Sequence, residues 1–314
     1  MTALLFRVAL VILAIVPSLV IAALFLQAFN RPDSPQRPFT DAWTYLAAGD
    51  RLNLGHDLYR LRPGDMPVDL YPSLFPVPMV GPPTLGVIAR PLAAIDVGLA
   101  IWVVACWSAL LGTMAYLVDR VGLPAVVVCI LLSLSIGEQL AAGNVASFFP
   151  LLLLVAWKTR DGPVAGIAIG LMAAAKLAPI AMAGWLVGAR NWRAVAALAV
   201  TLGAAGLACL IFAGWANTID YLRVLSTVGP STFSVSSALG VSWASYAVLV
   251  GGSLLSIATA RWPRISFIVG ILAMTFGTPA LYWSGFVALL GVLVPFTDSA
   301  AFARFRMLPG RSPA

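Results

Sequence analysis

The stretch "VALVILAIVPSLVIAALFLQAF", Val8 to Phe29, is an unbroken apolar run of 22 residues. A helix needs roughly 20 such residues to cross the hydrocarbon core of a bilayer, so this run reads as a membrane span. It carries no convincing small-residue cleavage site and is expected to be a retained first span rather than a cleaved leader. The chain then changes character. "RPFTDAWTYLAAGDRLNLGHDLY", Arg37 to Tyr59, holds five charged residues and the only histidine of the sequence. A protein does not need such a segment merely to stay in a membrane, so it is the first place to look for chemistry.

The rest of the composition agrees with the first run. Of the 314 residues, 61% are hydrophobic and 10% charged, with a mean hydropathy of +0.96. Soluble domains are usually about a quarter charged, which makes this an integral membrane protein. The net charge of +7 is spread singly or in pairs between apolar runs, a pattern that marks topology and does not build a nucleic-acid-binding stripe. Cys106, Cys129 and Cys209 lie inside apolar runs and read as small hydrophobes, with neither metal spacing nor a disulfide framework.

Hydropathy places about ten apolar segments, at 5–29, 97–118, 122–136, 145–157, 163–175, 178–189, 194–213, 239–259, 265–277 and 280–296. Several are short for a full crossing. Pro179 and Pro279 each split a longer run, because proline removes a helix donor and clashes one turn back. If the pieces alternate, Arg120, Lys158, Arg160, Arg190, Arg193, Arg261, Arg264, Arg304, Arg306 and Arg311 fall on one side. The turn expected at 137–143 holds Glu138 and no Lys or Arg. The positive side is then cytoplasmic. The 30–96 segment, the 214–238 loop and the breaks at Lys176–Pro179 and Gly277–Pro279 lie outside. No soluble domain, linker or internal repeat is visible, so one transmembrane domain over 1–314 is expected, with 30–96 as its outer loop.

That loop holds six arginines and six aspartates before Asp96. After the proline-rich "RPDSPQRP", Thr40 can cap a helix beginning at Asp41. Asp41, Tyr45 and Ala48 would share its face, and the positive end of the helix dipole would help keep Asp41 ionised. Asp41 reads either as part of that helix start or as a base. Asp33 is a rival acid on a proline-rich strand. Asp50, Asp57, Asp65 and Asp69 read as solvated or paired with Arg51, Arg60 and Arg62. His56 has no second histidine, so a metal site is not expected; it is a candidate hydrogen-bonding or substrate contact. Lys176, one of only two lysines, sits between apolar halves. A charge at membrane depth costs about 2.5–3.5 kcal/mol on insertion scales, so it either snorkels to the surface or has work to do.

"DAWTYLAAGDRLNLGHDLY", then "FPVPMVGPPTLGVIARPLAAI" leading into "LAIWVV", resembles the first outer loop and second span of glycosyltransferase family 87, in the GT-C superfamily. The likeness continues in "GNVASFFPLLLLVAW", where the family often has a Gly-Gln turn and this chain has Asn144. It continues in "AGIAIGLMAAAKLAPI", followed by the arginine-containing turn "ARNWRA". Weaker echoes are "SVSSALG" and "GTPALYW". Where the family often has a histidine shortly after that tryptophan, Ser284 and Gly285 stand here. The likeness runs from about residue 41 to 296.

The resemblance implies an all-α GT-C bundle of transmembrane and half-membrane helices, with interfacial helices in the outer loop. It also implies a multi-pass cell-membrane enzyme acting on the outer face. The reaction would be inverting transfer of a hexose, mannose above all, from a polyprenyl-phosphate donor to a hydroxyl of a lipid or glycan acceptor. The family's general base follows the first span, and Asp41 looks like its counterpart. A lipid-phosphate donor brings its own leaving group, so neither a nucleotide cradle nor a cofactor is expected, and metal independence is the default. Lys176 becomes the candidate partner of the donor phosphate, with Arg90 and Arg223 as second candidates beside plain interface anchoring. Tyr45 and Trp283 are candidate stacking contacts, although aromatic belts account for most such residues. Asn144 either bonds a sugar hydroxyl or starts a helix. The competing readings are a transporter or lipid translocator, since broken helices suit transport, and a non-catalytic relative of the enzymes.

Overall fold

The computed structural model describes residues 2–31, 34, 37–63, 78–227 and 229–298. Asp33, Asp65, Asp69, Tyr71, Arg304, Arg306 and Arg311 fall outside them. The described chain is all-α, without a strand. Its helices are α1 (Thr2–Phe29), α2 (Thr40–Asn53), α3 (Pro83–Ala93), α4 (Gly98–Val121), α5 (Leu123–Leu131), α6 (Ser133–Ala142) and α7 (Phe149–Lys158). They continue as α8 (Pro163–Ala175), α9 (Ala183–Gly188), α10 (Trp192–Phe212), α11 (Gly214–Thr227), α12 (Val235–Leu239), α13 (Ala244–Ala258) and α14 (Pro263–Phe276). Three 3-10 helices, Val145–Phe148, Ala178–Met182 and Trp283–Phe296, complete the set.

By length and composition α1, α4 and α10 can each cross a membrane, and α5 with α6 makes a fourth, bent span. Six shorter apolar helices accompany them. The outward faces are those of a protein dissolved in lipid. Leu4, Leu24, Val200 and Ile211 are each more than half exposed, and in water such faces would be unsatisfied apolar surface.

Both proline breaks fall where the missing donor dictates. Pro179 has no N–H for the carbonyl of Ala175, four residues back, and α8 ends at Ala175. Lys176 then turns extended, with φ −148° and ψ 132°. The Thr84 hydroxyl donates to the Ala174 carbonyl and ties α3 to this broken end. Pro279 likewise has no N–H for the carbonyl of Thr275, which accepts from the Thr278 N–H at 3.4 Å instead, and α14 ends one residue later at Phe276. A third break had no such signal. The expected span 122–136 and the turn expected at 137–143 are instead α5 and α6, bent by 64° at Leu132, with α6 helical to Ala142. Tertiary packing extends it: Gly137 lies so close to α1 that a Cβ would come within 2.5 Å of the Ile21 side chain.

Small residues set how near the helices approach. Gly166 and Gly170, four apart on α8, face α10, and a Cβ on Gly166 would stand 1.8 Å from the Ala194 carbonyl oxygen. Gly166→Ala is therefore expected to force the two helices apart at a cost of about 1–3 kcal/mol. The check is a lower unfolding midpoint in detergent; an unchanged midpoint would refute this account of the contact. Gly49 does the same between α2 and α3, against the Ala89 backbone. The buried core runs through α4, α6, α7, α8 and α14 and includes Leu117, Ile136, Leu153, Ile169 and Phe267.

Candidate active site

The site is assembled on one turn. Gly143 ends α6 in the left-handed region, at φ 65°, and a Cβ there would lie 2.9 Å from the Ala42 Cβ. Glycine meets both demands at once. The turn is clamped by three hydrogen bonds. Trp102 Nε1 donates to the Gly143 carbonyl at 2.8 Å, Gln139 Nε2 to the Asn144 carbonyl at 2.8 Å and to Ser147 Oγ at 3.2 Å. Asn144 Oδ1 accepts the Ala146 N–H at 2.9 Å, starting the helix at Val145. With its oxygen committed, the amide nitrogen points away from that helix, and Nδ2 donates to Asp41 Oδ2 at 2.6 Å.

Asp41 is brought there by the start of α2. The Phe39 N–H donates to the Ala141 carbonyl at 2.8 Å, and Phe39, left-handed at φ 59°, occupies the N-cap. The cap expected at Thr40 is thus absent. Docking on the end of α6, not a side-chain cap, fixes where the helix begins, and no side-chain cap bond forms. Tyr45, one turn on, is buried edge-on against Trp102 with ring centroids 5.5 Å apart. It packs the helix onto the bundle.

Burial pushes the Asp41 carboxyl above the ordinary carboxylate range, while the Asn144 hydrogen bond and the Lys176 charge pull it partly back. The helix start therefore does not leave Asp41 a freely ionised acid, as its position alone suggested; removal from water outweighs the local dipole. Asp41 as a residue is nonetheless only half-buried.

Two further ionisable groups face it. Lys176, also half-buried, leaves the broken end of α8 and is near enough for its charge to act on Asp41 and Glu138. Glu138, on α6, feels both and meets the backbone N–H of Ser284 at the start of the Trp283–Phe296 helix. Sequence reasoning used Glu138 only to mark topology. The signal was there: it is the chain's one glutamate, in an apolar run, and the rule that singled out Lys176 applies equally to it.

The other candidates lie elsewhere or hold other partners. Arg90 donates to Asn53 Oδ1 at 2.9 Å and to the Phe212 carbonyl at 3.2 Å, joining α2, α3 and α10. Arg223 pairs with Asp220 at 2.7 Å on an exposed face of α11. His56 touches Arg62 and lines a cavity of about 240 Å³ with Arg51, Asp57 and Arg60. Trp283 is partly exposed against Phe233, at 4.6 Å, and adjoins the site only through its neighbour Ser284. A second cavity, of about 510 Å³, is lined by Arg160, Arg190, Trp192 and Arg193. Neither cavity includes Asp41. Among the described residues no three His, Cys, Asp or Glu gather as metal ligands would.

The described residues form an all-helical bundle with helices long and apolar enough to cross a membrane, in which an acid, an amide and an amine are drawn together, and comparison with known families says what such a chain is. The model of glycosyltransferase family 87 matches residues 80–306. The chain belongs to that family and is a membrane glycosyltransferase. Glu138, Asn144, Lys176 and Trp283 fall within the match, whereas Asp41 precedes it. No curated protein and no solved structure matches the chain.

Proposed function

We propose that the protein moves a hexose, mannose by its resemblance, from a polyprenyl-phosphate donor to an acceptor hydroxyl with inversion, on the outer face of the cell membrane. The observation that carries this is the Asn144–Asp41 hydrogen bond, which fixes a carboxylate where the charge of Lys176 acts on it. Asp41 takes the proton of the acceptor hydroxyl as its oxygen bonds the anomeric carbon. The bond from that carbon to the phosphate oxygen breaks, and its electron pair leaves with the phosphate, whose charge Lys176 offsets. An oxocarbenium-like centre develops between the two, as in glycoside hydrolysis, and a carboxylate within reach serves as base.

The membrane side follows from the helices. α7 leads from the Asn144 turn to Lys158, and α8 leads from Gly162 back to Lys176. Asp41 and the Arg160–Arg190–Arg193 cavity therefore lie at opposite ends of these helices. The positive-inside rule favours a cytoplasmic arginine end, which supports an outer position for Asp41.

The test is transfer of label from polyprenyl-phosphate mannose, and from glucose and arabinose donors in parallel, to lipid and glycan acceptors by the purified protein. Transfer from one of these donors is expected. Failure with all, or solute uptake into reconstituted vesicles without transfer, overturns the proposal.

A further inference from the structure

Glu138 has no part in the reaction just described, yet it lies close to the site. It stands on α6 one turn before the clamped Gly143–Asn144 turn, and its charge acts on Asp41 and Lys176 alike. Its Oε2 is buried with no hydrogen-bond partner among the described residues. A buried polar oxygen left unpaired is costly. The obvious remedy, an ion pair with Lys176, is not taken: among the described residues neither side chain has an ion pair within 4.0 Å. Asp41, Glu138 and Lys176 thus stand near enough for their charges to act on one another without pairing, each held by its own element: the start of α2, the last turns of α6 and the broken end of α8. The Ser284 N–H steadies the Glu138 carboxylate from a fourth element.

We propose that Glu138 is a specificity-determining residue that grips hydroxyl groups of the transferred hexose. This rests on the glycosyl-transfer reading above. In an inverting displacement the acceptor oxygen, anomeric carbon and phosphate oxygen lie in line. Asp41 holds one end of that line and Lys176 the other, so the ring hydroxyls project sideways between them. Glu138 is the third charged group near them, and among the described residues its Oε2 is left without a partner. A carboxylate accepts hydrogen bonds at both oxygens, and neighbouring sugar hydroxyls supply the donors that Oε2 lacks. A site that hydrogen-bonds a substrate hydroxyl strongly rejects the analogue without it.

The experiment measures binding in the absence of acceptor, by tryptophan fluorescence, for polyprenyl-phosphate mannose and for bare polyprenyl phosphate. E138A is expected to weaken the sugar-bearing ligand about 10- to 100-fold, the range for a hydrogen bond to a charged group, and to leave the bare phosphate within about twofold. E138Q, nearly isosteric, keeps an acceptor and falls between, which guards against a folding defect in the smaller variant. K176A weakens both ligands. Donors lacking single ring hydroxyls complete the test: the one that loses binding on the parent loses little more on E138A. Equal weakening of both ligands by E138A, no weakening, or additive losses with every deoxy donor overturns the assignment while leaving the transferase reading intact. A parent that binds neither ligand overturns both.

Discussion

Asp41→Asn is expected to lower the transfer rate about 10²–10⁴-fold, the usual contribution of a positioned general base, with donor binding unchanged. The replacement amide matches the carboxylate in size and can still present an oxygen to Asn144 Nδ2, which now sits 2.6 Å from Asp41. The fold has no reason to move, so the loss belongs to the proton transfer. The pH profile supplies an independent check. Burial raises the Asp41 carboxyl above its ordinary range, and a base works only when ionised. Activity should therefore fall as pH drops through a midpoint above that of an ordinary aspartate. Asn144 lowers that midpoint by its hydrogen bond, so Asn144→Ala should move the acid limb of kcat/KM upward. A limb at the ordinary aspartate position, or Asp41→Asn with near-parental turnover, would remove Asp41 from the role.

Lys176→Ala is expected to cost about 10- to 100-fold in kcat/KM for the donor, from loss of a charged hydrogen bond to phosphate. Its charge also pulls the Asp41 carboxyl down, so the acid limb should shift upward in this variant too. A lysine that merely anchored α8 would change neither quantity. Stability should not suffer, because the side chain has no ion pair within 4.0 Å among the described residues and a charge within the bundle opposes folding. On the proposed assignment, such a residue is retained for activity at some expense of stability. Donor kinetics indistinguishable from the parent's would retire the assignment.

The parts of this molecule that local chemistry dictates were legible in the sequence. The apolar runs gave the helices, and Pro179 and Pro279 gave two breaks, because a missing N–H acts on the carbonyl four residues back and on nothing further away. Asp41 could be placed at a helix start from the residues around it. What escaped depends on contacts between distant segments. The bend at Leu132 has no proline to announce it. The left-handed Phe39 follows from a bond to Ala141, over a hundred residues on. Asn144 could be read as a helix start or a ligand contact; it starts the helix with its oxygen and holds Asp41 with its nitrogen. Arg90 reads in the sequence as a phosphate partner or an interface anchor near a span end; its bonds to α2 and α10 depend on segments far away in the chain. Glu138 showed its charge but not its nearness to Asp41 and Lys176.

The link between Asp41 and Asn144 joins residues 103 positions apart, and that distance has a temporal meaning. During synthesis the carboxylate leaves the ribosome long before the amide that will orient it, and longer still before Lys176. A nascent chain halted ahead of Gly143 carries the acid without its amide partner, so on the proposed assignment the enzyme stays inert until its later helices have entered the bilayer.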